Sequence, residues 1–200
     1  MATQEIIQHL SKDKKLKHVI AATELYEWTG GGSVYADLLG SIISQQISVR
    51  AAATIQERFL NLFDDGYPHV EQVLDFDEEK LRSVGLSRQK ANYIRNIAEF
   101  FKQENLLDYE WSQHEDEEII KLLTQIKGVG QWTVEMILMF TLNRPDILPL
   151  DDLGIRNSMI KLYEVEETGR ALKPRLVEIA EVWRPYRTYA CRYLWKWKDS

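Results

Sequence analysis

Two short segments of the chain combine residue types that could do chemistry. The first, LLTQIKGVGQWT at residues 122–133, ends one helical pattern, sets two glycines around one apolar residue, and opens a second helical pattern. Glycine tolerates positive φ and leaves its amide uncovered. The N–H groups of Gly128, Gly130 and the turn that follows then converge where a helix dipole is positive, which makes an anion site, and a DNA phosphate is one such anion. Val129, between the glycines, can anchor the hairpin in a core. A plain tight turn between two helices is the alternative reading of the same residues. The second segment, LPLDDLGIR at residues 148–156, places Asp151 and Asp152 at a helix start after a proline-punctuated loop. An aspartate at an N-cap satisfies free amides, which accounts for one of the two. A carboxylate at a helix mouth, near a hairpin that grips phosphate, is also where a nucleic-acid enzyme places an electrostatic stabiliser.

The elements that must position these residues are helical almost throughout. Residues 34–46 repeat Leu38, Leu39, Ile42 and Ile43 at helical steps, and Ser48 is a good N-cap for the run VRAAATIQERFLNLF. Residues 64–68, DDGYP, read as a stop and turn. A short helix, EEKLRSV, closes at Gly85, and Ser87 caps a longer one, RQKANYIRNIAEFF. Further helices are expected over 118–125, 131–142 and from Asp151 or Asp152 to about Tyr163, with two more starting at Pro174 and Pro185. Period-2 alternation is scarce. An all-α architecture of about a dozen short helices follows.

The chain has 200 residues, 44% hydrophobic and 28% charged, which is the composition of an ordinary globular protein and excludes wholesale disorder. Its length suits one domain or two small lobes. Its apolar runs are too short to cross a bilayer, and its first residues lack the apolar core of a signal peptide. A single cysteine, Cys191, excludes an intrachain disulfide framework, a cysteine-ligated zinc and a cysteine-bound iron–sulfur cluster. In an aromatic-rich helix it reads as a buried thiol. His9, His18, His69 and His114 share no ligand spacing, so a transition-metal site is not expected. The net charge of −6 argues against a protein that coats nucleic acid over its whole surface.

GVGQWT followed by LPLDDLGIR resembles the helix-hairpin-helix superfamily of DNA base-excision glycosylases. LLGSIISQQIS and EVWRPYRTYACRYLW resemble its alkylpurine branch, the 3-methyladenine DNA glycosylase II type. The resemblance runs from about residue 34 to residue 197. It implies a two-lobed all-α fold with the active site in the cleft between lobes, in one compact unit over 1–200. The lobes are expected at 34–125 and at 1–33 plus 126–200. Compared with longer bacterial members, the chain looks like a compact form without a preceding β-rich domain.

The family's catalytic aspartate precedes the short apolar start of its helix, which selects Asp152, with Asp151 as the alternative. Where lyase-competent members carry a nucleophilic lysine, this chain has Trp132, so the resemblance implies a monofunctional enzyme that removes a base and leaves the strand intact. Lys127 is then a phosphate contact, together with Gly128, Val129, Gly130 and Thr133. Electron-rich rings would stack on a cationic alkylated purine, and Trp132, Trp195, Tyr35 and Trp28 are the candidates, each with core packing as its plain alternative. Flipping a base out leaves a gap to fill. The turn Gln45-Gln46-Ile47-Ser48 corresponds to the family's wedge, with Gln46 and Ile47 as plug and Gln45 on the partner strand or in the pocket. Ser87 to Lys90 resembles a second DNA-facing turn, and an ordinary capped helix is its alternative.

No cofactor is expected to be required. The family implies only a structural Na or K ion on the backbone carbonyls of Thr124, Ile126 and Val129. The implied partner is double-stranded DNA containing alkylated bases, met by a monomer without a membrane, in the cytoplasm of a bacterium (on its nucleoid) or the nucleus of a eukaryote. A non-catalytic helix-hairpin-helix DNA-binding module is the rival reading. The charge is unevenly spread: residues 104–118 carry seven acids and no Lys or Arg, whereas Arg184, Arg187, Arg192, Lys196 and Lys198 gather near the C-terminus. Such a molecule is expected to grip few phosphates.

Overall fold

The computed structural model describes residues 3–25 and 30–198. These residues form twelve α-helices and no β-strand, in two compact units: residues 31–137, and residues 1–30 with 138–200. Residues 126–137, expected with the terminal helices, belong instead to the central unit. Among the described residues no helix is long and apolar enough to cross a membrane, and no group of His, Cys, Asp and Glu is arranged to hold a metal ion.

The central unit holds α3 (Val34–Ser44), α4 (Val49–Leu60), α5 (Val70–Asp75), α6 (Glu78–Ser83), α7 (Arg88–Gln103), α8 (Asp116–Leu123) and α9 (Gln131–Met136). Its centre is α7. Ala91, Ile94, Ile97, Ala98 and Phe101 recur at helical spacing and are all buried, giving an apolar stripe against which α3 and α5 pack. On α3, Leu38, Leu39, Ile42 and Ile43 are fully buried, as their spacing predicts. Ser33, Ser48, Asp77 and Ser87 cap α3, α4, α6 and α7 by accepting backbone N–H bonds. Gly85, at φ +106°, follows α6 in a conformation that glycine adopts without strain.

Three details depart from the sequence reading. Helix α3 stops at Ser44, two residues before the expected end, because Gln46 turns to φ +59°. Helix α8 starts at Asp116 instead of 118, since Glu115 and Glu118 form a reciprocal capping box. Helix α5 is unforeseen, its six residues being too few to show a period.

The second unit holds α1 (Gln4–Leu10), α2 (Lys14–Ala22), α10 (Leu153–Tyr163), α11 (Leu172–Ala180) and α12 (Arg187–Lys198). Helix α12 packs on α10 and α2, with Ala190, Cys191 and Leu194 fully buried, so the thiol is a core group. Asp13 ties three elements together. Its Oδ1 caps α2, while its Oδ2 accepts from Tyr163 Oη (2.6 Å) and Trp183 Nε1 (3.0 Å). Burial and the Asp13 carboxylate push the Tyr163 phenol well above its ordinary range, so it stays a donor. Pro174 lies inside the first turn of α11, and α12 begins two residues after Pro185. The chain enters this unit from α9 through a π-helical turn, Ile137–Thr141.

Candidate functional site

The acidic pair separates into two different environments. Asp152 is the N-cap of α10, and its Oδ1 accepts from Ile155 N at 2.8 Å. The same oxygen accepts from Trp195 Nε1 at 2.9 Å. Asp151 is exposed and forms a surface ion pair with Lys173 at 2.6 Å, an arrangement of little energetic consequence. The side chain of Asp152 is therefore oriented by a backbone N–H and an indole N–H, and that of Asp151 by an exposed lysine. Trp195 is itself held by stacking on Phe140, with ring centroids 5.7 Å apart and planes at 28°. Gly154 leaves room for the pair: a Cβ there would stand 3.0 Å from Asp152 Oδ1 and 3.2 Å from the indole. Leu153 beside it is 62% exposed.

The loop that delivers Asp152 is fastened to α12 along one face. Arg187 donates from Nε to Asp146 Oδ1 (2.7 Å) and from Nη2 to Oδ2 (3.0 Å). Thr188 Oγ1 donates to Arg144 O (2.7 Å) and accepts from Ile147 N (3.0 Å). Arg184 Nη1 adds a bond to Asp146 at 2.6 Å. Two of the cations that gather near the C-terminus, Arg184 and Arg187, are thus committed to this loop. Fork-shaped Arg–carboxylate pairs fix orientation as well as distance, so α12 holds both ends of the segment from Arg144 to Asp152. None of these partners was legible in the sequence; the only local signal was the proline punctuation of the loop.

In the central unit the hairpin has the features its glycines imply. Gly128 takes φ +106°, and a Cβ there would fall 2.3 Å from the Tyr93 ring. Both conformation and space demand glycine. Gly130 is different: as N-cap of α9 it has φ −96° and nothing within 4 Å of its would-be Cβ. Its missing side chain faces open space, which keeps the approach to its amide clear. Val129 is buried as the anchor. Its N–H is spent on Ile126 O at 3.0 Å, so it offers no donor to a phosphate. Thr133 is also buried at 3% exposure, which removes its hydroxyl from a DNA-facing role. Lys127 is exposed, and its carbonyl accepts from Asn96 Nδ2 at 3.1 Å. Tyr93 and Asn96 of α7 therefore buttress the hairpin, and with Lys127 they line a shallow depression of about 630 Å³. Ile126 O accepts from Val129 N, and a carbonyl oxygen carries two lone pairs.

The turn expected to act as wedge is exposed at Gln46, Ile47 and Ser48, with Gln45 half covered. Val49, the first residue of α4 and not among the expected DNA contacts, is 88% exposed, beside Ile47 of the turn at 38%. The signal for it was an apolar residue directly after an N-cap. Lys90 does not face DNA as expected: its Nζ donates to Ile43 O at 2.8 Å and Gln45 O at 2.7 Å. Ser87 caps α7 through Lys90 N at 3.2 Å, the ordinary-cap alternative. Of the ring candidates, Trp132 is 40% exposed on α9. Tyr35 is 1% exposed beside Phe101, so its ring shows no open face; burial raises its phenol pKa. Trp28 lies outside the described residues.

A family model for the HhH-GPD superfamily of base excision DNA repair proteins matches residues 39–185. The chain belongs to that superfamily. It is 38% identical over 164 residues to DNA-3-methyladenine glycosylase 1 of Schizosaccharomyces pombe, covering 81% of this chain and 71% of that protein. Among solved structures, it superposes with a TM-score of 0.80 on an S. pombe 3-methyladenine DNA glycosylase in complex with abasic DNA, at 34% identity and 96% coverage of both chains. A DNA-3-methyladenine glycosidase from Bacillus halodurans gives a TM-score of 0.84 at 33% identity, over 99% of this chain and 90% of that one. The superfamily match includes the wedge turn, the glycine hairpin and the Asp152 segment.

Proposed function

We propose that the chain is a monofunctional DNA glycosylase that hydrolyses the N-glycosidic bond of alkylated purines, of the 3-methyladenine and 7-methylguanine type, in base excision repair. The observation that carries this reading is the Asp152 carboxylate, held at the mouth of α10 by Ile155 N and Trp195 Nε1, in a chain whose relatives are named for that activity.

The chemistry follows from charge. An N3- or N7-alkylated purine is already cationic. When the C1′–N bond breaks, the base leaves as a neutral molecule with the bonding pair, and the sugar becomes an oxocarbenium-like cation. A fixed carboxylate stabilises that cation electrostatically and orients the water that adds to C1′, whose proton passes to the carboxylate or to solvent. Asp152 is oriented for this before substrate arrives, whereas Asp151 is engaged with Lys173. Trp132 supplies a ring for a cationic base and no amine for a Schiff base, so the strand stays unbroken. Duplex DNA, held by the amides of Gly128 and Gly130 and by Lys127, is the substrate, and one copy of the chain is enough. A Na or K ion on the carbonyls of Thr124, Ile126 and Val129 would bring positive charge to the hairpin; exchanging either for a bulky organic cation then weakens DNA binding. The reading places the protein wherever the cell keeps its DNA.

The test is to incubate the protein with methylated duplex DNA and identify the released bases by chromatography, with Asp152→Asn as control. Release by wild type alone supports the reading. A non-catalytic DNA-binding module would bind the duplex and release nothing.

A further inference from the structure

The turn proposed to fill the duplex is tied down from behind by one lysine. Residues 46–49 follow the C-terminus of α3, where helix carbonyls have no N–H partners of their own. Lys90 Nζ reaches across from the first turn of α7 and takes two of them, Ile43 O at 2.8 Å and Gln45 O at 2.7 Å. An ammonium at a helix C-terminus also faces the negative end of the dipole. The Gln45 carbonyl belongs to the peptide plane that enters Gln46, and Gln46 is a non-glycine residue at φ +59°. Such a residue costs about 1 kcal/mol or more and persists only where its surroundings hold it. Fixing that carbonyl fixes the peptide plane about which the positive φ is set. Beyond it the backbone exposes Gln46, Ile47 and Val49. Partial burial of the ammonium lowers the Lys90 pKa, consistent with a side chain drawn in from solvent.

We propose that Lys90 is a positioning residue for base flipping: from α7 it locks the Gln45–Gln46 peptide, so that the apolar tip of the turn meets the duplex preformed. This gives the Ser87-to-Lys90 segment a role without DNA contact, Ser87 fixing the turn of α7 from which Lys90 reaches. A preformed tip avoids ordering the loop during extrusion, and that ordering would otherwise add to the flipping barrier. The inference rests on the glycosylase reading above.

The test uses Lys90→Met, which keeps the length and loses the donors. Single-turnover base release is measured on one alkylated purine placed opposite its pairing partner and opposite a non-pairing base, where extrusion is easier. Amide hydrogen exchange of residues 46–49 is measured in the free protein. The expected result is a loss of about tenfold on the paired duplex, a loss below about twofold on the mismatched one, and faster exchange confined to the turn. Lys90→Gln, with one shorter donor group, carries the same comparison should the methionine variant not fold. An equal loss on both substrates, or unchanged exchange in the turn with full wild-type activity, overturns the inference alone. Absence of base release by wild type overturns the glycosylase reading, and the flipping role with it.

Discussion

Trp195 Nε1 donates to Asp152 Oδ1 over 2.9 Å, joining residues 43 positions apart. The bond makes an aromatic side chain, expected as a stacking surface or as core packing, into a support for the candidate catalytic carboxylate. A hydrogen bond to an ionised acceptor contributes about 1.5–3 kcal/mol, so its loss is measurable in rate as well as in stability. Trp195→Phe keeps the stack on Phe140 and removes the donor. Base release is expected to fall about tenfold, with near-unchanged DNA affinity in a binding titration. Unchanged release would mean that Asp152 needs no help from the indole.

Asp152 has two duties that substitution can separate. Asn retains an N-cap oxygen for Ile155 N and loses the negative charge. Asp152→Asn is therefore expected to melt within a few degrees of wild type, bind DNA, and release base at least about a hundredfold more slowly. Asp152→Ala loses the cap as well and costs about 1 kcal/mol of stability in addition, read as a lower Tm.

The two hairpin glycines are expected to fail differently. Gly128→Ala forces a Cβ into the Tyr93 ring at a positive φ, so destabilisation of about 1–3 kcal/mol is expected in chemical denaturation. Gly130→Ala meets open space at a φ any residue adopts. Its expected effect is a normal Tm with weaker DNA binding, because the added methyl obstructs approach to the amide. A normal affinity for that variant would remove Gly130 from the phosphate grip.

Salt dependence distinguishes cations that touch DNA from those that hold the fold. Lys127→Ala is expected to lower the slope of log K against log salt by about one. Arg187→Ala is expected to leave the slope unchanged and to lower Tm, since its guanidinium is engaged with Asp146. The wild-type slope is expected to stay below that of about eight phosphate contacts. A larger slope would show that the acidic chain grips far more backbone than its hairpin offers.

Local physics was legible in the sequence and long-range pairing was not. Ser33, Ser48, Asp77 and Ser87 cap helices through bonds spanning three residues, and Ser48 and Ser87 were readable as such from their place before a helical run. The leucine and isoleucine spacing of α3 identified its buried face for the same reason. Gly128, Val129 and Gly130 sat in a recognisable break, and the order of four motifs carried the family. Lys90, Trp195 and Arg187 were misread or passed over because their partners lie about forty or more residues away. A lysine near the start of a capped helix looks the same whether it meets a phosphate or a carbonyl. Adjacent Asp151 and Asp152 could be ranked only by motif, whereas their separate partners, Lys173 and Trp195, distinguish them physically.

The most direct measurement is chromatographic identification of bases released from methylated duplex DNA by the wild-type chain and by Asp152→Asn. The account predicts free 3-methyladenine or 7-methylguanine from wild type, an unbroken strand with no borohydride-trappable intermediate, and no release above the spontaneous rate from the variant. Equal release by both proteins, or none by wild type, would contradict it.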